Sequence, residues 1–313
     1  MIYVYGYIEF KDINGSSHPA KNVKVTLYDE DLLGLRQTLD TGFSSDTGFY
    51  LFSVENDTSV LENGYDLILE IRLGNDYYQV QDLFQVYEVE YGPYIDVTNQ
   101  FTNISHTFEY YDANNVVDDF GVAANLYEAA TVGFEYIDII DSEDIEDYTL
   151  LGIEYPYGED FSWYSPITAD IYMGSHSINY YMWDTLFHEF GHYVAHQNDI
   201  TSFLPAVHYM EDNQIHEYGI FGKTLGRQLV WSEGWAHYFC VMVQQVMISS
   251  LPNVPNVGDT LEGTYDMETV NDPSYLMGEG YEYVMGLLLY DIADTNDEVW
   301  ITLALDMRHY LIG

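Results

Sequence analysis

His188-Glu189-Phe190-Gly191-His192 sets two imidazoles four residues apart, with a carboxylate beside the first. On a helix, residues at that spacing share a face, so both rings can reach one metal ion. Glu189, displaced around the helix, can hold the water that such an ion activates. Chance alone would produce the pattern in roughly one shuffled chain in fifty, so its surroundings have to decide whether it acts. Leu186, Phe190 and Val194 form an apolar row, opposite the row Asp184, His188 and His192. That arrangement predicts a helix packed on one side and facing a cleft on the other. His196 continues the histidine row to the helix end, where a basic group suits the dipole.

A catalytic tetrahedral centre takes three protein ligands and leaves one position open. The best third candidate is Glu233 in Trp231-Ser232-Glu233-Gly234-Trp235-Ala236-His237-Tyr238-Phe239, 41 residues beyond His192. Here the chain resembles the gluzincins, zinc peptidases whose third ligand is a glutamate on a later helix. Their E-G-x-A-x-[YF] pattern fits Glu233, Gly234, Ala236 and Tyr238, and the resemblance spans about residues 167–293. It implies one catalytic zinc ion (Zn2+) held by His188, His192 and Glu233, with Glu189 as general base in the hydrolysis of a peptide or protein substrate. The separation between the motifs exceeds that of the best-known members, so an enlarged loop must join the two helices.

Other residues near these motifs remain open in role. His237 lies one turn beyond Glu233 and either supports a ligand or sits on the surface. The segment 280–294 is similar to a helix that follows E-G-W-A in several secreted zinc peptidases, with Glu282, Asp291 and Asp294 at its acidic positions. A core helix with capping acids is the other reading. Stabilising an oxyanion needs a donor, for which Tyr281, Tyr283, His208 and His216 are candidates. By the same resemblance, a strand over 167–173 is expected to be the edge that takes the substrate backbone.

The elements that must position these groups follow from periodicity. Apolar or alternating runs at 23–28, 50–54 and 65–73, separated by turn residues such as Asn14-Gly15 and Asn63-Gly64, predict short strands. Ser45-Asp46-Thr47-Gly48-Phe49-Tyr50-Leu51-Phe52, with Gly6 and Pro19 before it, resembles transthyretin-like and carboxypeptidase-regulatory-like domains. The expected organisation is therefore multidomain: an N-terminal all-β sandwich of transthyretin-like type over 1–111, then an α+β zincin-like catalytic domain over 117–313. Helices are predicted at 120–136, from Ser177 or Asn179 to about His196, at 224–248 and at 280–293. The turn-rich stretch 197–222 is expected to be a functional loop.

Composition bounds the partners. The 313 residues carry 52 acidic and 8 basic side chains, a formal net charge of −44, which argues against nucleic acid and anionic membrane surfaces. Acidity either serves solubility or fits cationic partners and calcium (Ca2+), for which Asp141-Ser142-Glu143-Asp144 offers carboxylates. Cys240 is the single cysteine, expected as a buried and inert thiol. No stretch is apolar enough for a membrane span, and MIYVYGYIEF lacks the form of a signal peptide. An extracellular or cell-surface protein, present here as part of a larger exported chain, is expected from the lysine-poor, tyrosine-rich surface. A cell-surface adhesion or binding protein with a structural or inactive zinc site is the alternative to a peptidase. Oligomeric state is not readable.

Self-repulsion at −44 should oppose the folded state most at low ionic strength. The midpoint of thermal unfolding is therefore expected to rise smoothly toward ~1 M sodium chloride, where the screening length falls to roughly 3 Å. Millimolar calcium should add an early, saturating rise if carboxylate clusters bind it; a midpoint indifferent to both salts would contradict this.

Overall fold

The structure, a computed structural model, describes residues 1–30, 34–55, 64–83, 85–98, 100–140, 148–158, 161–175, 182–201, 222–252, 257–259, 261–262, 265–267 and 282–293. It is a mixed α/β protein with several β-sheets and a few helices. Two compact units emerge, one of Met1–Thr131 with Gly152–Pro156, the other of Val132–Leu151 with Tyr157–Gly313.

Among the described residues of 1–111 there are strands and no helix. They are β1 (Ile2–Lys11), β2 (Ser17–Pro19), β3 (Lys24–Glu30), β4 (Arg36–Phe43), β5 (Phe49–Val54), β6 (Tyr65–Arg72), β7 (Tyr78–Asp82), β8 (Gln85–Val86), β9 (Glu88–Val97), β10 (Phe101–Asn103) and β11 (His106–Phe108). β1 organises one sheet: β5 and β2 pair with it antiparallel, β10 and β11 parallel. A second sheet runs β4-β3-β6-β9, all antiparallel, while β7 and β8 pair with each other in a third. Burial alternates along β1, where Ile2, Val4, Ile8 and Phe10 are buried, and is continuous over 25–27 of β3 and 67–69 of β6. The turn before β5 depends on Gly48, which has φ +72°, and a Cβ there would lie 2.2 Å from the Ile8 carbonyl oxygen.

Helix α1 (Asp119–Ile140) starts where Asp118 Oδ1 accepts the Phe120 N–H at 2.9 Å, an N-terminal cap, and it runs beyond the predicted 120–136. Then come β12 (Leu151–Glu154), β13 (Trp163–Ser165), β14 (Asp170–Tyr172), α2 (Met182–Gln197), α3 (Gly222–Val246), β15 (Leu261–Glu262), β16 (Tyr265–Asp266) and α4 (Glu282–Ala293). In the second unit the core is aromatic: Phe134 and Tyr136 of α1 meet Phe190 of α2 and Phe239 of α3 at ring separations of 5.1 and 5.5 Å. Leu186, Phe190 and Val194 are buried as their spacing predicts. Cys240 is also buried.

The strand expected over 167–173 is shorter. Ile167 is 83% exposed in the turn after β13, and Ala169 has φ 59°, which ends extended pairing before Asp170. β13, not β14, is the end strand of its sheet. The cap candidates Ser177 and Asn179, the carboxylate cluster 141–144, Asp294 and most of the 197–222 loop lie outside the described residues. Among the described residues no helix is long and apolar enough to cross a membrane.

His106 gives the first unit a pH-dependent element. Its Nδ1 is hydrogen-bonded with the Tyr91 hydroxyl, while Nε2 is buried and makes no hydrogen bond. Burial pushes its pKa down to about 4. The unfolded chain would protonate His106 near pH 6.5, while the folded one resists until about 4. Stability from this group is thus present above pH 6.5 and lost as pH falls toward 4. His106→Phe should flatten that loss relative to the unaltered protein in a pH series of chemical unfolding. Parallel curves for the two proteins across the window would contradict this.

Candidate metal centre

The site is built where α2 and α3 cross with almost no side chain between them. A Cβ on Gly191 would lie 3.0 Å from the Ala236 Cα and 3.2 Å from the Phe239 Cβ, so α2 needs glycine at this position. The Trp235 indole N–H donates to the Gly191 carbonyl at 3.0 Å and ties the helices at the same level. Beside this contact Phe190 and Phe239, fully buried, pack on each other with ring centroids 5.9 Å apart. The small residues inside both motifs therefore do a packing task, and the functional side chains beside them meet as a result.

His188, His192 and Glu233 come together, with one ligand atom from each lying within 4.8 Å of the others. Glu233 Oε2 is 3.2 Å from both His188 Nε2 and His192 Nε2. Ligand atoms about 2.0–2.1 Å from a tetrahedrally bound ion sit roughly 3.3–3.4 Å apart, so this spacing fits a shared metal. Two imidazoles and one carboxylate are also the donor set of an open, three-ligand centre.

Glu189 is 8% exposed and lies beside this cluster. Burial pushes its carboxyl above the ordinary carboxylate range, opposed by the two histidines; Glu233 pushes it further up, and a hydrogen bond from the Tyr164 backbone N–H holds it down. A buried carboxyl beside two imidazoles is placed to exchange a proton with a group bound between them.

Several contacts escape sequence reasoning. Ser232 Oγ is 3.3 Å from His192 Nδ1. With Nε2 bound to a metal, the neutral ring would carry its proton on Nδ1, which would donate to Ser232 and hold the ring in place. The residue just before Glu233 gave no periodic signal for this duty. Tyr164 of β13 hydrogen-bonds His196 Nδ1 at 2.8 Å through its hydroxyl. Asp184, expected on the cleft face with His188 and His192, is instead buried, where its Oδ1 accepts from Gln244 Nε2 at 2.9 Å. One turn earlier on the helix, the shared face has already passed into the core.

His237 and Glu282 are each 2% exposed, so His237 is not on the surface. Glu282 Oε1 lies 3.9 Å from His237 Nε2, and the His237 ring packs edge-on against His188 with centroids 4.8 Å apart. Tyr283 is buried on α4; Tyr281, His208 and His216 lie outside the described residues, as does the side chain of Asp291.

The Glu282 contact depends on Gly234, where a Cβ would fall 2.4 Å from the Met285 Cβ and 2.9 Å from the Glu282 carbonyl oxygen. At Gly286 a Cβ would meet the His237 Cβ at 3.1 Å. Alanine gains about 1 kcal/mol in helix propensity at either site. Backbone and Cβ atoms cannot swing away, so overpacking of roughly 1–3 kcal/mol should win at Gly234. Gly234→Ala is expected to lower the thermal midpoint by several degrees, and Gly286→Ala by less. The reverse order would contradict the close approach of α3 and α4.

No protein-family model matches the chain, and no curated protein is similar to it. Among solved structures, a 9R-lipoxygenase from Cyanothece PCC8801 is 15% identical over 45% of this chain and 25% of that one, with a TM-score of 0.24. An (S)-allantoin synthase is 12% identical over 34% of this chain and 40% of that one, also at 0.24. The chain thus spans well under half the length of either structure, and likeness at this level carries no argument about fold or activity.

Proposed function

We propose that this protein is a zinc-dependent peptidase of gluzincin type, with residues 1–111 acting as a transthyretin-like spacer domain. The observation that carries the reading is the convergence of His188 Nε2, His192 Nε2 and Glu233 Oε2 beside a buried Glu189. Two nitrogens and one oxygen suit zinc better than softer or harder ions. Zinc bound by three protein ligands is a Lewis acid that makes water acidic near neutral pH and polarises a carbonyl. Glu189 takes a proton from the attacking water on its carboxylate and passes it to the departing amine. β13 offers an end strand whose Tyr164 backbone reaches Glu189, so an extended peptide paired along it would pass the base. This gives β13 the role that the sequence had suggested for 167–173.

Changes at two glutamates separate a ligand from a base. The unaltered protein should contain about one zinc per chain and cleave a mixed peptide library. Glu189→Gln should keep the zinc and lose turnover by roughly a hundredfold to ten-thousandfold. Glu233→Ala should lose the metal itself. Zinc retained without any cleavage would turn the reading toward a structural site in a binding protein, and retention of zinc by Glu233→Ala would reverse the assigned roles.

A further inference from the structure

β13 has two faces with different surroundings. Tyr164 turns toward α2, as its contacts with His196 and Glu189 require. Alternation along the strand sends Trp163 to the opposite face. There it pairs across from Tyr172 of β14 and stacks on it, with centroids 4.3 Å apart and planes 13° from parallel. Tyr157 closes the group at 4.5 Å from Tyr172 and 6.3 Å from Trp163. Trp163 and Tyr157 keep 43% and 40% of their surface exposed, although aromatic rings of this size normally gain by burial. Asp170 stands two residues before Tyr172 on β14, on the same face and about 7 Å along the strand.

Ring faces with a carboxylate beside them attract cations. This part of the chain supplies none of its own: no lysine or arginine occurs between Arg72 and Lys223, and the whole protein carries −44. We infer that the Trp163–Tyr172–Tyr157 face binds a lysine or arginine side chain of a peptide lying along β13, so that the protein selects basic segments. This rests on the peptidase reading only in making that peptide a substrate, because docking itself needs no turnover. The rings would receive the alkyl stem and charged head, and Asp170 would pair with the head.

The test uses the full chain carrying Glu189→Gln, loaded with zinc, in titration calorimetry. The probes are two blocked decapeptides that differ only in a central lysine or glutamine. The lysine peptide should bind about 3- to 30-fold more tightly, the range of one cation–π contact with partial desolvation. Trp163→Leu and Tyr157→Leu, each added to that background, should shrink the preference, with the lysine peptide losing more affinity than the glutamine peptide. If Trp163→Leu does not fold, Trp163→Phe should shrink it partially. Equal affinity for the two peptides overturns the inference. So does a preference that survives these substitutions, since it would then arise from diffuse charge. Cleavage by the unaltered protein distinguishes the two readings. A lysine peptide that is bound but uncut would remove the peptidase and leave the docking face, whereas cleavage indifferent to lysine would remove the docking face alone.

Discussion

One carboxylate oxygen of Glu233 held 3.2 Å from two imidazole nitrogens is the contact on which the rest of the second unit depends. Those three groups come from helices whose motifs lie 41 residues apart in sequence, so only a close crossing can unite them. Gly191 and Ala236 make that crossing possible, and Trp235 fixes its level by donating to the Gly191 carbonyl. Aromatic packing at the crossing, Phe190 on Phe239 with Tyr136 edge-on to Phe239, resists sliding of one helix on the other.

The same crossing solves an electrostatic problem. A chain at −44 has every reason to leave its carboxylates in water, yet Asp184, Glu189, Glu233 and Glu282 are all buried within α2, α3 and α4. Burying a carboxylate is costly unless it is paired or shares a proton. Gln244 satisfies Asp184, the histidines flank Glu233, and His237 stands near Glu282. Glu189 relies on the Tyr164 backbone N–H and nearby imidazoles, and its carboxyl remains raised. Buried acids occur elsewhere too, where Asp12 pairs with His18 and Glu154 accepts from Gln81, so each buried carboxylate among these has a polar partner of its own. The exposed rings on the far face of β13 extend a preference for positive charge to the surface.

Much of this was legible in residue spacing. Four-residue periodicity in Leu186, Phe190 and Val194 gave the buried side of α2, and apolar or alternating runs gave β3, β5 and β6. The triad was legible because metal ligands leave a specific combination of residue types. Residues that act through a single hydrogen bond leave no such trace, which is why Ser232, Tyr164 and Gln244 had no signal. Asp184 was misplaced because a helix face continues past the cleft into the core, and periodicity does not mark where that happens. The strand expected over 167–173 is shorter because Ala169 adopts a left-handed backbone, a tertiary constraint invisible in an apolar run.

X-ray absorption at the zinc edge on the protein as purified tests the central claim most directly. The account predicts a four-coordinate zinc with only nitrogen and oxygen neighbours at about 2.0–2.1 Å and the outer-shell scattering of two imidazoles. That scattering should fall to one imidazole, or the zinc should disappear, in His192→Ala. An absent zinc edge, sulfur scattering near 2.3 Å, or two imidazoles persisting in His192→Ala would contradict it.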